Sequence, residues 1–127
     1  MYTLRVCRSF VAQHYLTVPD CGPENEWHSH HFEVEVLLEG DSLNENGYLV
    51  DIVDVEDALE TLVDRYRDAT LNDLPEFADR NPSIEHFSRI FCTKLESNIN
   101  TENVSHMTTR IWEDEDAWAS YAMESGR

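Results

Sequence analysis

The stretch EWHSHHFEVEVLLEG, residues 26–40, places three histidines within four positions and follows them with an alternating run. Successive side chains of a β-strand point to opposite faces, so the even and odd positions of this stretch separate. The even positions from 32 to 38 are all apolar, whereas most odd positions are glutamates. We therefore predict a strand over about 28–39 with its even face buried. His28 and His30 lead the buried face, and His31 points to the acidic face.

Five further segments are predicted to be strands or helices. Residues 2–15 alternate as a strand does, and residues 52–67 carry apolar side chains at helical spacing, with Asp51 or Asp54 as the expected cap. Asn81 and Pro82 predict the start of a second helix that continues to about residue 98. Short strands are expected near 104–112 and 117–123. This order predicts the α+β class, with an antiparallel sheet and two helices on one face.

Length and composition favour one domain over residues 1–127, since 127 residues with 41% hydrophobic content are enough for one core. No apolar run approaches the roughly 18–20 residues that a membrane span needs, and no apolar signal segment opens the chain. We expect a cytoplasmic protein with no membrane partner. The three cysteines form no CxxC pair and no disulfide framework.

The charge is strongly negative, with 26 acidic residues against 9 lysines and arginines and a formal net charge of −17. Because contacts to phosphates require clustered cations, we expect no nucleic-acid partner. The acidic residues are spread along the whole chain, so they repel one another at low salt and are screened at high salt. This distribution is typical of a salt-adapted, halophilic-type surface.

The two inward histidines predict a metal site. His28 and His30 lie two residues apart, which separates them by about 7 Å along the strand. His14 ends the apolar parity of the first strand and lies near them if the two strands pair. Three neutral imidazoles leave a fourth position open, as in catalytic zinc sites. The alternative is a polar, partly buried histidine cluster without a metal.

A second metal pattern is also compatible with the spacing. Gly22, His28, His30 and Glu35 match the first half of a cupin metal motif. Cupins are all-β barrels, however, and this sequence has two helical segments. Glu35 also lies on the opposite parity from the two histidines, so the cupin interpretation is disfavoured.

Six blocks carry a resemblance to a known family. In chain order, from about residue 3 to residue 122, they are FVAQHYL, HSHHFEVEVLLEG, GYLVDI, TLNDLPEF, NPSIEHF and WEDEDAWASY. This series resembles the 6-pyruvoyl tetrahydropterin synthase / QueD (6-carboxytetrahydropterin synthase) family. The resemblance implies the tunnelling fold, or T-fold, in which two helices pack on one face of a four-stranded antiparallel sheet. It also implies a homo-oligomer, a trimer or hexamer, with active sites between subunits.

The resemblance implies zinc as the cofactor and supplies its ligands. The family's three zinc-binding histidines match His14 in AQH and His28 and His30 in HSH. A glutamate near the start of the last hairpin binds the pterin ring in this family, and Glu113 in IWEDED matches it. A carboxylate suits that role because it accepts two hydrogen bonds from a guanidine-like edge. The alternative for Glu113 is an exposed turn residue.

The chain departs from the family at the residues that transfer protons in the family's reaction. The family's Asp-His pair before LN falls on Arg67 and Asp68 or, with a one-residue gap, on Asp68 and Ala69, so its histidine is missing. We retain Asp68 as a catalytic candidate. Arg67 is a candidate for binding the substrate phosphates, and an exposed arginine at a helix end is the alternative.

The family's catalytic cysteine is also displaced. Cys21 lies seven residues before His28, whereas Glu24 lies at the usual four-residue spacing. Some relatives use glutamate in place of this cysteine and cleave the pterin side chain differently. Glu24 is therefore the predicted base, Cys21 stays a candidate, and Glu26 is a weaker substitute.

The resemblance implies a zinc-dependent, pterin-processing lyase that acts on 7,8-dihydroneopterin triphosphate or a close relative. A 6-carboxy- or 6-pyruvoyl-tetrahydropterin synthase activity and a diverged side-chain cleavage both fit the sequence. The bond that is broken is a carbon–oxygen or a carbon–carbon bond, depending on which of these activities the protein has. The alternative is a non-catalytic paralogue that retains the metal and binds a pterin or purine, motivated by the missing Asp-His pair.

Overall fold

The alternating pattern of the first two strands produces one long hairpin. In the computed structural model, which describes residues 1–125, β1 (Tyr2–His14) pairs antiparallel with β2 (His28–Gly40) along its whole length. Two shorter strands, β3 (His106–Trp112) and β4 (Trp118–Glu124), extend the sheet from β2, giving the strand order β1-β2-β3-β4. The predicted antiparallel sheet is thus confirmed, and each strand boundary lies within two residues of its expected place.

The first helix follows its apolar period. Helix α1 comprises Ile52–Tyr66 and begins where Asp51 accepts a hydrogen bond from the backbone N–H of Val53. Of the two predicted caps, Asp51 is the one used. Its carboxylate satisfies a backbone donor that the first helical turn leaves free.

The second helix begins later than the sequence predicts. Helix α2 comprises Ile84–Glu96, and its N-cap is Ser83, whose hydroxyl accepts a hydrogen bond from the N–H of His86. The expected start at Asn81 and Pro82 was wrong, because both residues make contacts outside the helix. The helix also ends two residues before the expected residue 98. Neither α-helix within residues 1–125 is long and apolar enough to cross a bilayer.

Both helices pack on the sheet face to which the even-numbered side chains of β1 and β2 point, and there they enclose the core. The strands contribute the buried side chains Val6, Phe10, Ala12, Phe32, Val34, Val36, Leu38, Met107 and Ile111. The helices contribute Val55, Leu59, Leu62, Val63, Tyr66, Phe87, Ile90, Phe91, Cys92 and Leu95. Burying each large apolar side chain stabilises the fold by about 1.5–3 kcal/mol, so this layer holds the hairpin in one register.

The other sheet face, which we call the open face, carries an unexpected buried carboxylate. Glu35 is only 6% exposed. It accepts hydrogen bonds from Arg5 and from the indole N–H of Trp112, and Arg110 lies 3.7 Å away. The hydrogen bond from Arg5 lowers the pKa of Glu35, and the indole bond and both arginine charges act in the same direction. These partners explain the burial, and they keep Glu35 away from the histidines.

A second carboxylate links helix α1 to the segment between the two helices. Glu76 lies in the short 3-10 turn Pro75–Phe77. Arg65 donates two hydrogen bonds to it, at 2.7 and 2.6 Å, and the Tyr66 hydroxyl donates a third at 2.8 Å. Chiefly through the Arg65 bonds, the pKa of Glu76 falls to about 2. Glu76 therefore stabilises the folded chain in its ionised form.

Replacing this carboxylate tests its contribution to stability. Because the folded pKa lies below the ordinary value, the stabilisation is present at neutral pH and is lost as pH falls from about 4.5 towards 2. We expect Glu76→Gln to lower the free energy of unfolding at pH 7 by about 1–3 kcal/mol. Denaturant unfolding of the variant and of the control Glu102→Gln at pH 7 and pH 3 measures this. An equal loss at both pH values would contradict the assignment.

Candidate metal centre

The strand register gathers three histidines at one end of the buried face. His14 pairs with His28 across β1 and β2, and His30 lies two residues further along. The ring centroids lie 4.6 to 5.0 Å apart. One ring nitrogen of each histidine lies within 4.8 Å of the other two. His31, as expected from its parity, is exposed on the other face.

Backbone carbonyls orient two of the three rings. His14 Nδ1 donates to the carbonyl of Pro82 at 2.9 Å, and His28 Nδ1 donates to the carbonyl of Glu26 at 2.7 Å. A carbonyl only accepts, so these contacts assign the proton of each neutral ring to Nδ1. Each Nε2 then presents a lone pair to the centre of the cluster. Histidine ligands of metals are usually held in this way.

The electrostatics of the cluster favour a metal over a metal-free polar group. Burial lowers the pKa of His14 to about 4 and also lowers the pKa of His30, so both rings are neutral at pH 7. The Nε2 atoms of all three histidines are buried and have no hydrogen-bond partner within residues 1–125. An unsatisfied buried polar atom costs about 1–3 kcal/mol. Three clustered imidazole nitrogens, of which those of His14 and His28 present lone pairs to the centre, fit zinc.

The segment that holds His14 was not recognised in the sequence. Asn81 accepts a hydrogen bond from the backbone N–H of Thr17 at 2.8 Å, and His86 Nδ1 donates to the Asn81 carbonyl at 2.7 Å. These bonds fix the carbonyl of Pro82 against His14. The sequence did contain a sign of this role. Asn81 and Ser83 are both residue types that commonly cap a helix, and a helix uses only one of them, so the other was free for a different contact.

The hairpin between β3 and β4 places Glu113 at the cluster. The Glu113 N–H donates to the carbonyl of Ala117 and closes the turn. The carboxylate lies 3.2 Å from Nε2 of His30 and 3.7 Å from Nε2 of His14, with 22% of the side chain exposed. Burial, followed by the charge of Glu24, raises the pKa of Glu113. Glu113 is therefore part of the site rather than an exposed turn residue.

Glu24 reaches the same cluster from the loop before β2. It lies in the 3-10 turn Gly22–Asn25, and the Asn25 amide holds this turn by donating to two backbone carbonyls after β1. A Glu24 carboxylate oxygen lies within 4.8 Å of the ligand atoms of His30 and Glu113. The structure thus brings together the predicted base and the predicted pterin-binding glutamate.

The other two catalytic candidates lie outside this cluster in the described chain. Cys21 is partly buried, and its backbone N–H donates to the side chain of Asn25. Asp68 adopts a left-handed conformation with φ of 59°, and its N–H donates to the carbonyl of Val11. Their catalytic roles stay predictions.

Arg67 caps the C-terminus of α1. Its guanidinium forms ion pairs with Glu60, at 2.9 Å, and with Asp64. Both partners belong to α1, so within one chain the side chain lies along its own helix rather than at the cluster. Its proposed contact with substrate phosphates also stays a prediction.

A groove with a volume of about 990 Å³ lies on the open face and reaches the cluster at His30 and Glu113. Trp112, Arg5 and Arg8 line the part of the groove away from the cluster. The site therefore combines a metal-binding pattern with two carboxylates, and a groove of the open face adjoins it.

Comparisons with known proteins identify the family and the fold of the chain. Residues 3–124 match the model of the family described as 6-pyruvoyl tetrahydropterin synthase. The chain belongs to this family. A comparison with curated proteins finds no significant match.

Solved structures of the family share the fold. The chain is similar to 6-pyruvoyl tetrahydropterin synthase of Caenorhabditis elegans, with 21% identity, a TM-score of 0.81, and coverage of 97% of this chain and 96% of that one. It is similar to the Plasmodium vivax synthase, with 14% identity, a TM-score of 0.79, and coverage of 98% and 99%. It also resembles a P. vivax variant with a catalytic glutamate replaced by alanine, with 13% identity, a TM-score of 0.77, and coverage of 98% and 99%. These likenesses confirm the tunnelling fold.

Replacing individual histidines tests the metal centre. We expect His28→Ala and His30→Ala to lose bound zinc, because each removes one of three ligands, whereas His31→Ala keeps it. Metal analysis of the purified proteins, with about one zinc per chain expected for the wild type, measures this. Equal loss in all three variants would overturn the parity argument.

Proposed function

We propose that this protein is a zinc-dependent, pterin-processing lyase. Its substrate is 7,8-dihydroneopterin triphosphate or a close relative, and its activity is of the 6-carboxy- or 6-pyruvoyl-tetrahydropterin synthase type. The observation that carries the proposal is the set of three buried, unpartnered imidazole nitrogens beside Glu113. Membership of the family supports a pterin as the ligand.

Each residue of the site has a distinct proposed task. His14, His28 and His30 would hold zinc, which would supply Lewis-acid chemistry to the hydroxyls of the pterin side chain. Glu113 accepts hydrogen bonds from the amino and ring N–H groups of the pterin and so orients the ring. The ring then fixes the side chain beside the metal centre, which reduces the entropy that reaction would otherwise cost.

Glu24 is the proposed general base. Its carboxylate lies close to His30 and Glu113, where a pterin side chain would lie between them. Proton transfer between side-chain carbons needs such a positioned acceptor. The P. vivax structure with a replaced catalytic glutamate supports a carboxylate in this role.

We also propose that the chain assembles as a trimer or hexamer with sites shared between subunits. The helices cover one sheet face only, so the open face is available to a neighbouring copy. In such an assembly Asp68 and Arg67 of a neighbouring copy would complete the site, as catalytic residue and phosphate-binding residue. The net charge of −17 makes high salt favourable for both assembly and the approach of an anionic substrate.

A second candidate function is a non-catalytic paralogue that keeps the metal and binds a pterin or purine. The missing Asp-His pair favours it. Incubating the zinc-loaded protein with 7,8-dihydroneopterin triphosphate at high salt and identifying the product separates the two. Zinc-dependent turnover supports the lyase, and bound zinc with bound pterin but no turnover supports the paralogue.

A pair of substitutions identifies the base. We expect Glu24→Gln to lower kcat by about 10²–10⁴-fold, the usual effect of losing a general base, while zinc content stays at the wild-type level. Glu102→Gln, an exposed and distant change, serves as the matched control. Single-turnover product formation measures the effect. Full activity of Glu24→Gln together with loss of activity in Cys21→Ser would assign the base to Cys21 instead.

A further inference from the structure

The contact between Glu113 and His14 brings two hydrogen-bond acceptors together. Glu113 Oε1 lies 3.2 Å from Nε2 of His30 and 3.7 Å from Nε2 of His14. Because His14 Nδ1 donates to Pro82, its Nε2 bears a lone pair and offers no proton to the carboxylate. The carboxylate oxygen and this lone pair face each other as two acceptors. A cation that both of them bind removes the conflict.

The two distances correspond to those between neighbouring ligands of one zinc ion. Zinc bonds to imidazole nitrogen and carboxylate oxygen are about 2.0–2.2 Å, so adjacent ligands of a tetrahedral site lie roughly 3.3–3.5 Å apart. The observed 3.2 and 3.7 Å are close to that separation. A water molecule between the carboxylate and the imidazoles would require a larger gap.

We propose that Glu113 is the fourth ligand of the metal in the substrate-free protein and that it leaves the metal to bind the pterin ring. The exchange rests on the proposed function, in which Glu113 recognises the ring. With His14, His28, His30 and Glu113 all bound, the metal would have no open position in the substrate-free protein, and a pterin that takes Glu113 would leave one open.

The charges of the site support this exchange. Three neutral imidazoles leave the double charge of zinc uncompensated in a largely buried place, and a carboxylate ligand halves it. When the pterin takes Glu113, the freed position becomes available to the oxygen atoms of the substrate side chain. Glu24 stays beside His30 to balance the charge.

The exchange also predicts a coupling between metal and ring. Both compete for one carboxylate, so zinc must weaken the binding of a pterin that has no side chain to offer the metal. Coupling of this kind is reciprocal, and the usual range is about 5–150-fold.

The first part of the proposal, that Glu113 is a metal ligand, is tested with cobalt and zinc in the absence of any pterin. We expect Glu113→Gln and Glu113→Ala to change the visible absorption of the Co²⁺-substituted protein and to weaken zinc binding at least about tenfold in competition with a chelator. Glu115→Gln, an exposed acid in the same turn, should match the wild type in both measurements. Circular dichroism verifies that each variant is folded. Wild-type spectra and zinc affinities in both Glu113 variants would overturn the proposal.

The exchange half is tested with 6-methylpterin, which has the ring but no hydroxylated side chain. We expect the zinc-loaded wild type to bind it at least about fivefold more weakly than the metal-free protein, by fluorescence titration. Equal or tighter binding with zinc would overturn the exchange. If neither form binds 6-methylpterin, the proposed function and the exchange both fail, while the cobalt spectra still decide whether Glu113 is a metal ligand.

Discussion

The register of the β1–β2 hairpin is the constraint on which the site depends. A slip of one residue would turn every side chain of a strand to the opposite face, moving His28 and His30 away from His14. The apolar side chains between the hairpin and the helices prevent that slip, because it would expose them. The three histidines are thus held together by the same burial that stabilises the fold.

Much of the fold follows from periodicity, since burial of one face leaves a period of two in strands and about 3.6 in helices. The parity of residues 28–38 therefore separated His31 from its two neighbours. Prediction from the sequence failed where a side chain is held by contacts with a segment distant in the sequence. Asn81 bonds to Thr17 rather than beginning α2, and Glu35 is buried by arginines and an indole from neighbouring strands. Such contacts leave no period in the sequence.

The candidate site also contains residues whose positions follow from periodicity and residues whose positions do not. The histidines and Glu113 lie on strands or directly at a strand end, so register determines their positions, and the sequence predicted them together. Glu24 and Cys21 lie in a loop whose path depends on amide-to-carbonyl bonds from Asn25. Spacing alone left the choice between them open. The structure places the glutamate, and not the cysteine, beside the histidines.

This division explains how the residues of loops can differ from the family pattern while the fold is kept. The sheet and its helices position the three histidines and Glu113, whose places follow from the strand register. The proposed base, Glu24, and the candidates that follow α1, Arg67 and Asp68, lie outside the helices and strands, where a substitution can alter proton transfer without disturbing the core. A carboxylate base close to Glu113 also adds negative charge to a site of neutral imidazoles. That charge makes a bound cation more favourable, so the proposed base and the proposed metal centre are electrostatically compatible.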